Sequence, residues 1–473
     1  MSSIRSNIIW NMIRVGSNLL FPLITFPYAA RILGPEAIGL FNYVFAISSY
    51  FILVSSFGFP IYGMREVAVI KQDNKSLTEV VNSIFTACLL FSIISIAGYL
   101  ILCYYILPKH LILCAVVGIS VILNSISFEW FFQGIEDFRY ITVRGIIIKS
   151  LSLVGLFIFV KTDGDLLAYA ILTVSAACGN NILNLFRIRT YIRLSIRFKD
   201  VLKHTKGASV LFLGTVAISF YTYLNDILVG ALTNMQNVAF FSTSNKIVHI
   251  LLTIIDAITV SIVPRMSHLV GSGDRKASDQ LQHNTLNLIN HIIFPLTAGL
   301  FILSQPVIEL FAGNKFLPSV SALHILSLLL LIIPLSSFLG HQILIPNRKE
   351  MYGNYAVISG AIVNITIALI LVPRISYIGI AVSLVIAEFV VTAVHFIFAR
   401  KYITLTLSDF LPYKIIFSSL IMGFVVWGLY EFDKHPGMCF IWALIGVIVY
   451  IISLLAMKDN FIINIIKTKL NRR

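Results

Sequence analysis

The feature that most constrains this chain is a succession of long, nearly uncharged apolar blocks running through almost its whole length. Each block holds about 18 to 28 residues, the length an α-helix needs to cross a hydrocarbon core of ~30 Å. Lipid offers the backbone no hydrogen bonds, so a lone apolar block of this length satisfies its own amides as a helix. The reading is an all-α integral membrane protein with about 14 transmembrane helices. Composition agrees: 58% of residues are apolar and 12% charged, where a soluble domain carries about a quarter charged. The first block does not read as a cleaved signal peptide. It is too long, contains Arg14 and lacks a small-residue cleavage site.

The spans begin at 8–30 and 39–63 and end at 411–430 and 438–457, with 207–231 and 238–264 opening the second half. The loops between them are short, and none reads as a soluble domain. Basic residues then set the orientation. With the N-terminus placed in the cytoplasm, most of the 35 Lys and Arg residues fall in or beside cytoplasmic segments, among them Arg65, Lys71, Arg187, Lys203, Arg275, Arg348, Arg400 and Lys469. Arg31, Lys109, Lys161, Lys315, Arg374 and Lys434 fall outside, and Arg14 and Lys246 fall well inside spans. An even number of spans returns the C-terminus to the cytoplasm. The net charge of +14 therefore reads as topology, and no nucleic-acid partner is expected. The five cysteines, Cys88, Cys103, Cys114, Cys178 and Cys439, all lie in apolar blocks without metal-ligand spacing. Neither a disulfide framework, a metal site nor a cofactor is expected.

Domain organisation follows from charge and from a weak internal repeat. Residues 1–190 read as an N-terminal six-helix lobe and 191–206 as a basic cytoplasmic linker. Residues 207–400 read as a second six-helix lobe, and 401–473 as two extra helices with a cytoplasmic tail. Gly39-Leu40-Phe41-Asn42-Tyr43 and Ala239-Phe240-Phe241-Ser242-Thr243 follow short outer turns at corresponding places, and Arg65 and Arg265 close the following spans. Both repeats enter from the same side, a parallel arrangement that in transporters puts the substrate path between the halves.

Polar residues at helical spacing are costly against lipid and should face a cavity or another helix. Span one carries Asn11, Arg14, Asn18 and Thr25; span four carries Ser120, Asn124 and Ser127. Span seven carries Thr215, Ser219, Thr222 and Asp226, and span eight carries Lys246, His249, Thr253 and Asp256. An isolated Arg or Lys at mid-membrane costs at least ~2.5 kcal/mol. Arg14 and Lys246 therefore point to a wet, functional cavity, with Asn18 and Asn124 as further substrate-binding candidates. A structural ion pair of Lys246 with Asp226 or Asp256 is the alternative. Asp226 and Asp256 are the candidates for ion coupling. Glu129, near the inner end of span four, reads as an interfacial anchor or a deep acid, and Glu388 stands alone on span 12. Pro22 and Pro27 interrupt span one above the Arg14 stripe, where a bend can act as a hinge.

The stretch Glu129-Trp130-Phe131-Phe132-Gln133-Gly134-Ile135-Glu136-Asp137-Phe138, with Tyr140, Ile141 and Arg144, resembles a signature of bacterial O-antigen and polysaccharide flippases. Leu33-Gly34-Pro35, Phe57-Gly58-Phe59-Pro60, Pro264-Arg265-Met266-Ser267 and Gln342-Ile343-Leu344-Ile345-Pro346-Asn347 resemble further segments of that family. The resemblance implies the multidrug/oligosaccharidyl-lipid/polysaccharide exporter superfamily, two six-helix lobes in a V, and alternating access in the cytoplasmic (inner) membrane. It implies a substrate of undecaprenyl pyrophosphate bearing an oligosaccharide repeat of O-antigen, lipopolysaccharide or capsule type. Membrane lipids and other polysaccharide assembly proteins are the further partners it implies. A pyrophosphate with sugars cannot cross hydrocarbon unaided, and Arg and Lys suit phosphate oxygens. A drug or cation antiporter of the same superfamily would want an acid-dominated cavity. A membrane polysaccharide polymerase or ligase would need a larger outer loop and a nucleophile–base pair, and the sequence offers neither.

Overall fold

The computed structural model describes residues 4–459 and 461–463, with the backbone alone at 4, 5, 213–215 and 217–222. The described residues form helices and no strand. They divide into two compact units, Met1–Ala239 and Phe240–Arg473.

Unit 1 is built from α1 (Ile4–Ser56), α2 (Phe59–Ile70), α3 (Asn74–Ile106), α4 (Leu111–Ser125), α5 (Glu129–Gly134), α6 (Phe138–Phe159), α7 (Leu166–Cys178), α8 (Asn180–Ile188) and α9 (Val201–Leu232). Between α1's two limbs Gly34 takes φ 77°, ψ 177°, just before Pro35. Only glycine adopts that backbone at no steric cost, and the proline that follows cannot donate to the preceding turn. Farther along α1, a Cβ on Gly39 would sit 1.7 Å from the carbonyl oxygen of Met235, so glycine sets how closely the two backbones approach.

The sequence 191–200 is not a free strand of chain. Asn82 on α3 donates to the Arg193 carbonyl at 3.0 Å and accepts from the Ser195 amide at 3.1 Å. Thr86 accepts from the Arg197 amide at 2.8 Å, and the Arg197 guanidinium meets Glu79 at 3.0 Å. From Val201 onward the chain is already helical in α9, which packs on α1, α2 and α3.

Unit 2 continues with α10 (Met235–Gly271), α11 (Arg275–Ile302), α12 (Ser304–Ala312), α13 (Ser319–Leu326), α14 (Leu329–Ser337), α15 (Glu350–Ala399), α16 (Leu407–Phe410), α17 (Tyr413–Phe432) and α18 (Cys439–Ala456). A π-helical segment, Phe338–Leu344, follows α14 just after Pro334. The long helix α15 is broken at Ile375 and Ser376, the latter at φ 51°, beside Pro373.

Eleven helical stretches among the described residues are long and apolar enough to cross a membrane. Two of them, of 65 and 50 residues, hold the breaks at Gly34 and at Ile375–Ser376, where the sequence reading separates spans. The seventh span of the sequence reading falls on α9, whose part Tyr223–Leu232 is a shorter apolar helix among the residues with described side chains.

Burial is inverted relative to a soluble fold. On α3 the polar Asn82, Ser83, Thr86, Ser92 and Ser95 are buried, while Ile93, Ile94 and Tyr105 are exposed. On α18 Phe440 and Leu444 are exposed while Ser453 faces α17 and donates to Ser418 at 3.1 Å. That is the arrangement a lipid solvent selects: apolar side chains gain nothing by leaving it, whereas hydroxyls and amides must find partners between helices. Cys88, Cys103, Cys114 and Cys439 are buried and Cys178 is half-buried, all as free thiols. The chain is thus a multi-pass α-helical membrane protein.

Candidate anion-binding site in unit 1

The site begins with a broken helix. After Ser125 the chain leaves α4, and Phe128 takes a left-handed conformation at φ 39°. A non-glycine residue there is strained and needs its surroundings to hold it. Those surroundings are present: Phe128, Phe131 and Phe132 are fully buried, and Trp130 lies against Gly63 of α2. With these rings pinned inward, the six-residue α5 is fixed and Glu129 projects toward α1 and α6.

Glu129 lies between two guanidinium groups. Arg14 of α1 donates from Nη1 to Oε1 at 3.0 Å, and Arg144 of α6 donates from Nη2 to Oε2 at 3.3 Å. Gln133, one turn along α5, donates to the same Oε1 at 3.3 Å. Arg14 is steadied by Asn11, which accepts from its Nε at 3.2 Å and its Nη2 at 3.0 Å. Arg144 lies over the Tyr140 ring at 5.2 Å, and Arg187 lies over that ring at 4.5 Å. Lys149, also on α6, donates to Asn18. The Thr142 hydroxyl donates to the Trp10 carbonyl at 2.9 Å and ties α6 to α1 beside the site.

These groups surround a cavity of about 230 Å³ lined by Arg14, Asn18, Glu129, Arg144, Lys149 and Asn180, among others. Three cations against one carboxylate leave an excess of two positive charges. The Arg144 side chain is only 3% exposed, and its Nε and Nη1 find no hydrogen-bond partner among the described residues. A buried guanidinium with open donors is expensive unless a ligand, or water, completes it. The cavity is smaller than the ~300 Å³ at which sites for drug-sized molecules begin. It suits a charged head group rather than a whole glycolipid.

Of the residues singled out from sequence, Arg14 and Asn18 line this cavity. Asn124 does not: it donates to Ser55 at 2.9 Å and joins α4 to α1. Thr25 donates to its own helix at the Phe21 carbonyl. Asp226, on α9, is half-buried. Thr215, Ser219 and Thr222 of that stripe lie outside the residues with described side chains. In unit 2, Lys246 and Asp256 on α10 are half-buried, and His249 and Thr253 are exposed. Asp256 faces Ser337, His341 and His249. Ser337 meets His341 Nδ1 at 3.2 Å, and Ser336 meets His395 Nδ1 at 2.8 Å, so two histidines attend the α14 end and its π turn.

Glu129, Arg144, Lys149 and Asn180 line the unit 1 cavity but were not singled out by sequence as ligands. Glu129 and Arg144 stand at the two ends of the Glu129–Arg144 signature, which is the sequence signal that marks them. Lys149 lies within the fifth span at 141–160 and deserves the same weight as Arg14, being a cation inside an apolar block.

Comparison with known proteins fits this architecture. Residues 4–270 match the family described as "Polysaccharide biosynthesis protein". A protein of Escherichia coli (strain K12) that carries the name "Putative O-antigen transporter" is 26% identical over 408 residues, 84% of this chain and 97% of that protein. Its namesake in Shigella dysenteriae is 26% identical over 391 residues, 81% of this chain and 97% of that protein. Among solved structures, the lipid II flippase MurJ in an inward closed conformation superposes with a TM-score of 0.78 at 18% identity, covering 96% of this chain and all of that one. An inward-facing multidrug resistance MATE family transporter of the MOP superfamily gives 0.64 at 14% identity, over 82% of this chain and 97% of that one. At such identities these structures speak for the fold, whereas the family match spans more than half the sequence. The chain belongs to the polysaccharide biosynthesis protein family of membrane transporters.

Proposed function

We propose that the protein is a flippase that moves an undecaprenyl-pyrophosphate-linked oligosaccharide, of O-antigen or capsule type, from the cytoplasmic to the outer leaflet by alternating access. The unit 1 cavity is its diphosphate site. The observation that carries this reading is the buried Arg144, with two open donors in a cavity holding two excess positive charges. A pyrophosphate diester carries two negative charges near neutral pH and several acceptor oxygens, which complements both features. Arg14 and Arg144 supply planar donor pairs, Lys149 a point charge, and Asn18 and Asn180 amides that suit the proximal sugar. The relatives named as O-antigen transporters and the flippase fold support the same substrate class. A cation antiporter is disfavoured because this cavity would repel its substrate.

In this reading both termini and residues 191–206 are cytoplasmic in the inner membrane, and export is coupled to an ion through Asp226 or Asp256. Lys246 offers a second cation for the head group in the other lobe, 207–400, as the substrate moves outward. Reporter fusions at Lys203 should be active inside and fusions at Asn234 outside; the reverse would invert every leaflet assignment. The central test uses full-length protein in lipid nanodiscs and geranyl diphosphate as a soluble head-group probe. Binding is expected for the wild type and is expected to weaken strongly in Arg144→Ala and Arg14→Ala. Equal binding by all three, or none by the wild type, would remove the site.

A further inference from the structure

We infer that Glu129 is a resident counter-anion: its carboxylate holds the place of the substrate's phosphate in the empty site and is displaced when the head group binds. The inference rests on the diphosphate reading of the cavity. The first observation is how the carboxylate divides itself. Oε1 takes one donor of Arg14 at 3.0 Å and Oε2 takes one donor of Arg144 at 3.3 Å. Neither guanidinium is gripped in a two-bond fork, and Arg144 keeps Nε and Nη1 open. A phosphate group, with more acceptor oxygens, can engage donors that a single bridging carboxylate leaves unused.

The second observation is that Glu129 has somewhere to go. Its side chain is 34% exposed while that of Arg144 is 3% exposed. Gln133 donates to it from the same short helix and would stay with it as it swings away. The backbone beneath it stays fixed, because Phe128 at φ 39° and the buried rings around it anchor α5. The exchange is therefore a side-chain motion rather than an unfolding.

Electrostatics favours the same exchange. Without Glu129 the empty cavity would confront the membrane interior with three cations and no anion, at a cost in folding. With Glu129 present, an incoming phosphate replaces one anion by another, and no step leaves the arginines bare. Binding is correspondingly moderated, and a transported ligand has to be released as well as bound. Glu129 thus tunes affinity downward in exchange for turnover.

The test compares wild type, Glu129→Gln and Glu129→Asp in nanodiscs by titration with geranyl diphosphate, with export of surface polysaccharide measured in cells lacking the native gene. Gln keeps the shape but removes the competing charge, and the probe is expected to bind roughly tenfold tighter or more. Asp keeps the charge but is too short to bridge both arginines, so a smaller gain is expected. Export should fall in Glu129→Gln although binding improves, because release slows. If the wild type binds the probe through Arg14 and Arg144 but neither Glu129 variant binds it more tightly, the carboxylate is a scaffold and the inference is overturned while the diphosphate site stands. If Glu129→Gln cannot be recovered folded, Glu129→Asp alone decides between the two outcomes. If the wild type does not bind the probe at all, the diphosphate reading itself has failed.

Discussion

The two units handle buried polarity in different ways. In unit 1 the site is a cluster of charged side chains, Arg14, Arg144 and Lys149 around Glu129. In unit 2 the groups around the π turn are a carboxyl and imidazoles, Asp256 with His249 and His341, and His395 beside Ser336. The two guanidinium groups stay charged at any physiological pH, so the first cluster is suited to holding an anion. The second cluster combines a carboxyl with imidazoles and contains no guanidinium, which makes it the candidate for ion sensing rather than for holding phosphate. π turns inside α-helices often mark functional sites. Under the proposed function the division is one of labour: the substrate's phosphate is gripped in one unit, and the driving ion is sensed in the other.

The largest effect that would break this division is at Arg144. Its truncation leaves Glu129 with one partner and removes the two open donors. Losing one member of a buried ion pair costs about 3–5 kcal/mol, and the partial exposure of Glu129 puts this case toward the lower end. Arg144→Ala should abolish export and lower protein abundance. The double variant Arg144→Ala/Glu129→Gln should recover abundance but not export. Recovery of export by the double variant would make the pair purely structural, and the comparison between the units would collapse.

Arg14 comes next, because it is more exposed than Arg144, at 27% for its side chain, and is steadied by Asn11. Arg14→Ala should reduce export about tenfold with little change in abundance. Arg14→Lys should retain partial activity, since a lysine restores the charge but not the planar donors. Arg14→Glu should be close to inactive. Full export by Arg14→Ala would mean that the head group does not pass this cavity.

How legible was this arrangement? The span-forming blocks, the break at Gly34-Pro35 and the charge at Arg14 can be read directly, because each is a local violation or a local necessity. A cation inside an apolar block announces itself. By that logic Lys149 was equally readable, and only its nearness to the basic flank of span five hides it. Arg144 and Glu129 are different. They meet because Phe128 turns left-handed and sends α5 back toward α6, and no periodicity announces such a turn at a phenylalanine. Glu129 lies near the end of an apolar block, where an interfacial anchor is the simpler reading. Asn124 shows the converse limit. The spacing of Ser120, Asn124 and Ser127 places them on one helical face but does not say that the face meets Ser55 of α1 rather than the cavity.

A smaller effect is expected in the second cluster. Asp256→Asn removes the acid from the group formed with His249 and His341 but leaves unit 1 untouched. Affinity for geranyl diphosphate should be unchanged, while the acceleration of export by an imposed proton gradient should be lost. Asp226→Asn is the contrasting test on α9, in unit 1: loss of the response there but not in Asp256→Asn would put ion sensing in the same unit as the phosphate and end the division of labour. If both variants keep a normal response to the gradient, ion sensing lies elsewhere and the division of labour loses one of its halves.

The smallest effect sharpens the comparison by separating two asparagines that the sequence groups together. Asn124 joins α4 to α1 by donating to Ser55 at 2.9 Å and to the Ile52 carbonyl at 3.5 Å, and hydrogen bonds between membrane helices are worth about 0.6 kcal/mol each on average. Asn124→Ala should therefore lower thermal stability slightly and leave both probe affinity and export at wild-type levels. Asn18 accepts from Lys149 inside the cavity. Its removal frees that ammonium from a neutral partner, so Asn18→Ala should change geranyl diphosphate affinity measurably without a comparable loss of stability. The two variants remove the same amide from the same unit, so a difference in binding between them reports position alone. Equal effects on binding would mean that the polar interior of unit 1 acts as one diffuse field. In that case the cavity around Arg144 would have no special claim on the phosphate.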